Sequence, residues 1–149
     1  MRIGIAADHG GFLLKTDIKA WLTSQGHDVR DFGAHELVST DDYPDFVVPL
    51  AKAVSSKEVE RGIAICGSGV GASVAANKVA GVRAALIHEN FSAHQGVEDD
   101  DMNLICLGGR VLGTKAAEEF ISAFINAKYI GGGRYQRRLD KVLKLETGK

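Results

Sequence analysis

Apolar positions along this chain fall into short runs that alternate with longer amphipathic stretches. Residues 3–7 form a compact apolar run with the length of a buried strand. After it, Phe12, Leu13, Ile18, Trp21 and Leu22 recur at helical spacing up to Gly26, a residue suited to a helix end. Residues 27–32 read as a second strand. A polar loop then leads to Tyr43-Pro44, and proline at a first helical position opens a helix bearing Phe46, Val47, Leu50, Ala51 and Val54. Residues 62–66 predict the third strand, followed by a glycine-rich turn and a helix of small residues reaching Lys78. Strands over 82–87 and 103–107 flank a helix over 90–98. Residues 114–127 are amphipathic, three glycines at 131–133 interrupt the chain, and 134–146 predict a terminal helix.

Short apolar strands separated by helices imply a parallel sheet, because each crossover lays a helix on one of its faces. The expected fold is α/β: a three-layer, doubly wound, Rossmann-like sheet of five strands, spanning 1–149 as a single domain. Composition agrees, with 149 residues of which 45% are apolar and 25% charged. A net charge of −1 gives no reason to expect nucleic acid or an anionic membrane as partner. The longest uncharged stretch, 62–77, is too short and too rich in Gly, Ser and Ala to span a bilayer. Two cysteines and an unremarkable N-terminus suggest a reduced, cytoplasmic setting. The 18 glycines against 2 prolines direct attention to turns and close backbone approach.

In doubly wound sheets ligands bind beyond the carboxyl ends of the strands. Asp8-His9 follows strand one, Cys66-Gly67-Ser68-Gly69-Val70-Gly71 follows strand three, and His88-Glu89 follows strand four. Together with the acidic run Glu98 to Asp101, these are expected to share one rim. Glycines at 67, 69 and 71 let successive backbone N–H groups turn inward as an anion nest, and such a setting favours the thiolate of Cys66. A thiolate beside an oxyanion nest suits proton abstraction next to a carbonyl. The same residues allow a bland reading, Cys66 as a buried small hydrophobe with glycines for packing. They also fit the G-x-G-x-x-[G/A] dinucleotide pattern, with Glu89 near the ribose-binding spacing, which would make a non-catalytic nucleotide-binding module. Asp8-His9 is either a catalytic or phosphate-binding pair, or a helix cap beside an exposed histidine. Arg134 and Arg138, one turn apart, form either a phosphate clamp or a solvated basic face, while Tyr135, Leu139, Val142 and Leu143 dock inward. The acidic run, with His88 or His94, matches no standard metal loop and reads as a solvated turn, so no metal is expected. Cys106 is expected in the core.

As a set, Ala-Asp8-His9-Gly-Gly-Phe, Asp42-Tyr43-Pro44-Asp45-Phe46, Ile-Cys66-Gly-Ser68-Gly-Val-Gly71, Ala75-Ala-Asn77-Lys78-Val-Ala-Gly81-Val-Arg83-Ala84 and Gly108-Gly-Arg110-Val resemble the ribose-5-phosphate isomerase B family, which includes galactose- and allose-6-phosphate isomerases. The resemblance covers essentially the whole chain. It implies a cofactor-free aldose–ketose isomerase with Cys66 as the base moving a proton between C1 and C2, and the loop Gly67, Ser68, Gly69, Val70 and Gly71 holding the enediolate. It further implies that Asp8 and His9 contact ring oxygens and phosphate, that Tyr43 walls the pocket, and that Arg110, Arg134 and Arg138 bind phosphate. The site is expected at the interface of a homodimer, alone or within a tetramer.

One departure bears on substrate. Members usually carry a histidine before the fifth strand that opens the sugar ring, followed by Asn or Asp; here Asp99 and Asp100 occupy the matching positions. Carboxylates are ordinarily ionised at neutral pH, where imidazole can still carry its proton. Three expectations follow: Asp99 opens the ring from a protonated state, His94 does so, or the substrate is open-chain, as erythrulose 4-phosphate is. Ribose 5-phosphate stands first because the Asp8-His9-Gly-Gly start resembles the pentose-phosphate members.

Overall fold

Along three of the apolar strands, large and small side chains alternate, and this decides which helices lie on which face. The computed structural model describes residues 1–148. It contains β1 (Arg2–Ala7), α1 (Phe12–Ser24), β2 (Asp28–Asp31), α2 (Pro44–Ser55), β3 (Arg61–Cys66), α3 (Val70–Ala76), β4 (Ala84–Leu86), α4 (Asn90–Asp100), β5 (Leu104–Gly108), α5 (Thr114–Asn126) and α6 (Gly133–Thr147). The strands form one sheet in the order β2-β1-β3-β5-β4, and every pairing is parallel. This is the expected Rossmann-like α/β architecture.

Ile3, Ile5, Ile63, Ile65, Ile105 and Leu107 point to one face, where they pack on Leu14, Ile18 and Leu22 of α1, Ala93 and Val97 of α4, and Ile121 and Phe124 of α5. Ala6, Ala64, Cys66 and Cys106 point to the other, against Val47, Leu50 and Val54 of α2 and Ala72 and Ala76 of α3. Period-two alternation thus sorts bulky residues to the first face and small ones to the second. The second pair of helices comes closer: a Cβ at Gly62 would stand 2.8 Å from Val54 Cγ2.

The chain leaves β1 outward to β2, then returns across the sheet to β3. The strand order reverses there, so the loops after β1 and β3 splay apart into the crevice such folds use for ligands. Parallel strands also fix which residues share that edge, and here one expectation fails. The run Glu98 to Asp101 precedes β5, so α4 delivers it to the opposite edge of the sheet, where Asp101 shares a cavity with Arg2, Arg61 and Asn103 at the strand starts. At about 3.3 Å per strand residue, that edge lies roughly 15 Å from the other.

The run is also helical rather than a turn. Glu98 to Asp100 form the last turn of α4, which Asp101 ends at φ 52°. Acids at a helix C-terminus oppose its dipole. Local partners offset this: His94 Nδ1 meets Glu98 at 3.1 Å, Gln95 donates to Asp99 Oδ2 at 2.7 Å, and Arg83 pairs with Asp101 at 3.0 Å. The fourth strand is shorter than expected because Val82 N–H closes a turn onto the Val79 carbonyl and Arg83 N–H donates to Asn103 Oδ1. On α6 the expected inward stripe is met in part: Leu139 is buried and Tyr135 and Leu143 are half-buried, but Val142 is 50% exposed, and Leu145 beyond the stripe is 81% exposed.

Candidate active site

Cys66 is the last residue of β3, placed there by a strand whose three preceding residues, Ile63, Ala64 and Ile65, are wholly buried. Its thiol is 5% exposed and accepts a hydrogen bond from Gly69 N–H at 3.2 Å. That contact needs the tight turn after β3. Gly69 sits at φ +86°, a conformation that disfavours any side chain, and its Cα faces the Leu107 backbone. The N–H groups of Gly67 and Ser68 have no acceptor among the described residues. Val70 N–H donates to Ser68 Oγ at 3.3 Å, which holds the exposed serine over the turn.

Neighbouring elements complete the walls. Tyr43, at the start of α2, lays its ring on Gly71, and the Arg110 guanidinium lies over Gly67. Main-chain bonds from Gly109 N–H to the Cys66 carbonyl (2.8 Å) and from Arg110 N–H to the Gly67 carbonyl (3.0 Å) clasp the two loops together. The result is an open cavity of about 420 Å³ lined by Asp8, Tyr43, Cys66, Gly67, Ser68, Gly71, Arg110 and Val111. Larger grooves exist, including one of about 630 Å³ beside Trp21 and Glu119. Among the cavities lined by the described residues, the smaller one joins a thiol, free amides, a carboxylate and a guanidinium.

Asp8 is 7% exposed and does not cap α1, whose N-cap is Gly11; instead its Oδ1 accepts Gly10 N–H at 2.9 Å. His9 is half-buried and tied to Asp41, whose Oδ1 accepts the His9 main-chain N–H at 2.9 Å and stands 2.7 Å from Nδ1. Asp8, His9 and Asp41 bring donor atoms within 4.8 Å of one another. The 2.7 Å separation is that of a proton shared between two atoms. Two ligands at about 2.1 Å from one metal ion would stand about 3 Å apart or more.

Other expected site residues lie elsewhere. Asp99 is half-buried near Arg134, and Ile130 N–H, donating to the Glu98 carbonyl at 3.0 Å, ties the approach to α6 to the end of α4. Arg134 is exposed, bonded to the Tyr135 hydroxyl at 3.0 Å, and Arg138 is exposed. Asp100 borders a groove of about 590 Å³ with Lys78, Arg83 and Leu139. None of these four lines the Cys66 cavity. The acidic run and its histidines do not converge on one point either, and His88 is exposed. Glu89 is spent as the N-cap of α4, accepting Ser92 N–H at 3.0 Å, which removes the ribose-binding role of a nucleotide module. The serine's side chain and backbone hold that carboxyl below its ordinary range.

The model of the Ribose/Galactose Isomerase family matches residues 3–142. The chain belongs to that family. Ribose-5-phosphate isomerase B of Escherichia coli is 41% identical over 145 residues, covering 97% of this chain and 96% of its own. D-erythrulose-4-phosphate isomerase of Pectobacterium atrosepticum is 37% identical, covering 89% of this chain and 88% of its own. Among solved structures, ribose-5-phosphate isomerase B from Mycoplasma genitalium with bound ribulose-5-phosphate matches with a TM-score of 0.93 and 38% identity, over 99% of this chain and 97% of that one.

This member of the ribose/galactose isomerase family is therefore a sugar-phosphate isomerase, an intramolecular oxidoreductase. Among the described residues no helix is long and apolar enough to cross a membrane. Of the residues named from sequence, the isomerase brings Asp8, Tyr43, Cys66, Gly67, Ser68, Gly69, Val70, Gly71 and Arg110 into one neighbourhood, while His9, next to Asp8 in the chain, is held by Asp41 and does not line the cavity. Asp41 was missed. It precedes Asp42-Tyr43-Pro44 in a polar loop, and only the fold reveals that it meets a histidine 32 positions earlier.

Proposed function

We propose that this isomerase interconverts ribose 5-phosphate and ribulose 5-phosphate, with Cys66 as the base. The observation that carries the reading is the Cys66 thiol, buried at the switch point, facing the Gly69 amide beside two free N–H groups. In the ketose direction, the Cys66 thiolate takes the proton from C2 of the open-chain aldose, and the electron pair moves into a C1–C2 double bond as O1 gains charge. The amides of the 67–71 loop and Ser68 stabilise that oxygen, in a place where little reorganisation is needed. The thiol returns the proton to C1 while the O2 proton passes to O1, so no electron leaves the sugar and no cofactor is required. Arg110 and His9 bind phosphate from within the chain, and Asp8 and Tyr43 hold the sugar.

Arg134, Arg138, Asp99 and Asp100 lie outside the cavity, so their part requires a second copy that lays α6 and the end of α4 across the Cys66 edge. Exposed apolar residues on both sides support such a homodimer: Val70 and Val74 on α3, Val111 at the cavity mouth, Val142 and Leu145 on α6. A cytoplasmic location fits a sugar-phosphate substrate and two free, buried cysteines.

A second reading is favoured by Asp99. Its Oδ2 accepts from Gln95 at 2.7 Å, so that oxygen acts as a hydrogen-bond acceptor rather than as an acid toward a sugar ring. A four-carbon sugar with a terminal phosphate has no five- or six-membered ring to open and would need no such acid. Turnover of ribose 5-phosphate and erythrulose 4-phosphate, measured in parallel on wild type, Cys66→Ala and Cys66→Ser, decides between them. The first reading expects turnover of the pentose, the second of the tetrose alone. Either expects Cys66→Ala to lose at least about a thousandfold in kcat. An active Cys66→Ala enzyme removes the cysteine from the mechanism.

A further inference from the structure

We propose that Asp41 is a positioning residue that fixes His9 for binding the substrate's phosphate, an inference that rests on the sugar-phosphate reading above. One carboxylate oxygen, Oδ1, makes two contacts with the same residue: the main-chain N–H of His9 at 2.9 Å and ring Nδ1 at 2.7 Å. The first sets the backbone of the loop after β1 and the second sets the ring. A 2.7 Å approach of nitrogen to a carboxylate is the length of a charge-assisted hydrogen bond, so the proton on this edge sits on Nδ1 and faces Asp41.

Nε2 is then the only ring atom left for a ligand. His9 keeps 29% of its side chain exposed and directly follows Asp8, which lines the Cys66 cavity, so a phosphate reaching past Asp8 would meet Nε2. To donate to a phosphate oxygen from Nε2 while donating to Asp41 from Nδ1, the ring must be an imidazolium, and the Asp41 carboxylate supplies the counter-charge. Asp41 is costly to keep in this position: its side chain is 11% exposed, and Oδ2 is buried with no hydrogen-bond partner among the described residues. A buried carboxylate oxygen without a partner calls for a reason, and among the described residues the hydrogen bonds of Asp41's side chain all go to His9.

The test compares wild type with Asp41→Asn and Asp41→Ala in the full chain, using inorganic phosphate as the binding probe and nitrogen-15 spectra of the histidine rings. Asn keeps an acceptor for both N–H groups but removes the charge; Ala removes both contacts. In wild type Nδ1 of His9 is expected to carry a proton with or without phosphate, and Nε2 to carry one as well when phosphate is bound. Asp41→Asn is expected to weaken phosphate binding and raise KM for ribose 5-phosphate by about tenfold, with kcat changed less than about twofold, the signature of lost uniform binding. Asp41→Ala is expected to weaken binding further and to free the ring, so that the Nε2–H tautomer grows. The same Asn substitution in a His9→Asn background should then cost nothing more.

A wild-type ring protonated on Nε2 alone, or phosphate affinity unchanged in folded Asp41→Ala, overturns the proposal. If no sugar phosphate is turned over, the isomerase substrate reading fails, while the ring spectra and phosphate titration still decide the role of Asp41.

Discussion

Replacing Gly69 by alanine tests whether the turn after β3 is built by backbone conformation, by close approach, or by both. At φ +86° an alanine pays about 1–2 kcal/mol for left-handed geometry alone. Its Cβ would also stand 2.6 Å from Leu86 Cδ1, 2.8 Å from the Leu107 carbonyl carbon and 3.0 Å from its oxygen. The leucine side chain can yield, but Leu107 belongs to β5, paired with β3 and β4 on either side, and its backbone cannot move without shifting the ladder. Overpacking of this kind adds about 1–3 kcal/mol. The expected total of about 3 kcal/mol corresponds to a Tm lower by about 6–12 °C for a chain of this size. Any relief by moving the loop withdraws Gly69 N–H from Cys66 Sγ, and a displacement near 1 Å costs about a hundredfold in kcat. Gly26→Ala is the control: it has φ +88° and nothing within 4 Å of the new Cβ, so it carries the conformational term without the contact term. Calorimetry and turnover on both variants should show Gly26→Ala about 1–2 kcal/mol down with full activity, and Gly69→Ala clearly lower in both respects. Equal Tm losses, or undiminished turnover in Gly69→Ala, refute the argument that the Leu107 backbone dictates this glycine.

Three other perturbations reach different parts of the molecule. Burial would raise the Asp31 carboxyl, but hydrogen bonds from Lys15, Gly33 N–H and Lys19 outweigh it and leave the group below its ordinary value. The stability it contributes is therefore present above the unfolded carboxylate range and lost as pH falls through the depressed folded value. Asp31→Asn, which strands the buried Lys15, should cost about 3 kcal/mol at pH 7 and progressively less in acid, read from denaturant melts; a pH-independent loss contradicts this. Arg61 donates to the Phe124 carbonyl at 2.6 Å and the Ala127 carbonyl at 3.0 Å, capping α5, so Arg61→Met should lower stability by about 2 kcal/mol without altering KM. Mixing inactive Cys66→Ala with inactive Arg138→Ala should restore about a quarter of wild-type activity if two copies share each site, since half the random dimers then hold one intact site of two. No recovery on unfolding and refolding the mixture argues for a site complete within one chain.

The parts of this molecule that were legible in one dimension are those whose determinants are local. The strands at 3–7, 62–66 and 103–107 announce themselves by apolar runs between turn signals, and all three are central in the sheet. The two edge strands are weaker. β2 alternates exposed and half-buried residues, and β4 shrinks to three residues because Val82 and Arg83 are taken by a turn and by Asn103. The nest was legible because Cys66, Gly67, Gly69 and Gly71 are nearly contiguous and their chemistry follows from backbone conformation. Asp41 was not, since no periodicity links it to His9. The acidic run was assigned to the wrong edge for a topological reason: residues after a parallel strand reach the ligand-binding edge, whereas residues before one sit at its start.

One chain alone does not hold the whole expected set of site residues, since the acidic run lies at the strand starts. With Asp99 and Asp100 at the far end of α4, and Arg134 beside them, the chemistry divides into two clusters separated by the length of a strand. One holds the thiol, the amides, Asp8, His9 and Arg110; the other holds arginines on a helix that buries only Leu139 of its own apolar residues. An amphipathic helix this poorly covered gains little from its own chain, because most helix stability in proteins comes from burying the apolar face. Val142 and Leu145 would gain that burial against a second copy, and the same docking would carry Arg134 and Arg138 to a phosphate held by Arg110. Folding energy and substrate affinity would then depend on one interface. Substitutions of Leu145 would in that case weaken catalysis without touching a reacting atom, whereas those of Ile121, fully buried in the core with α1, α4 and β5, would weaken the fold first.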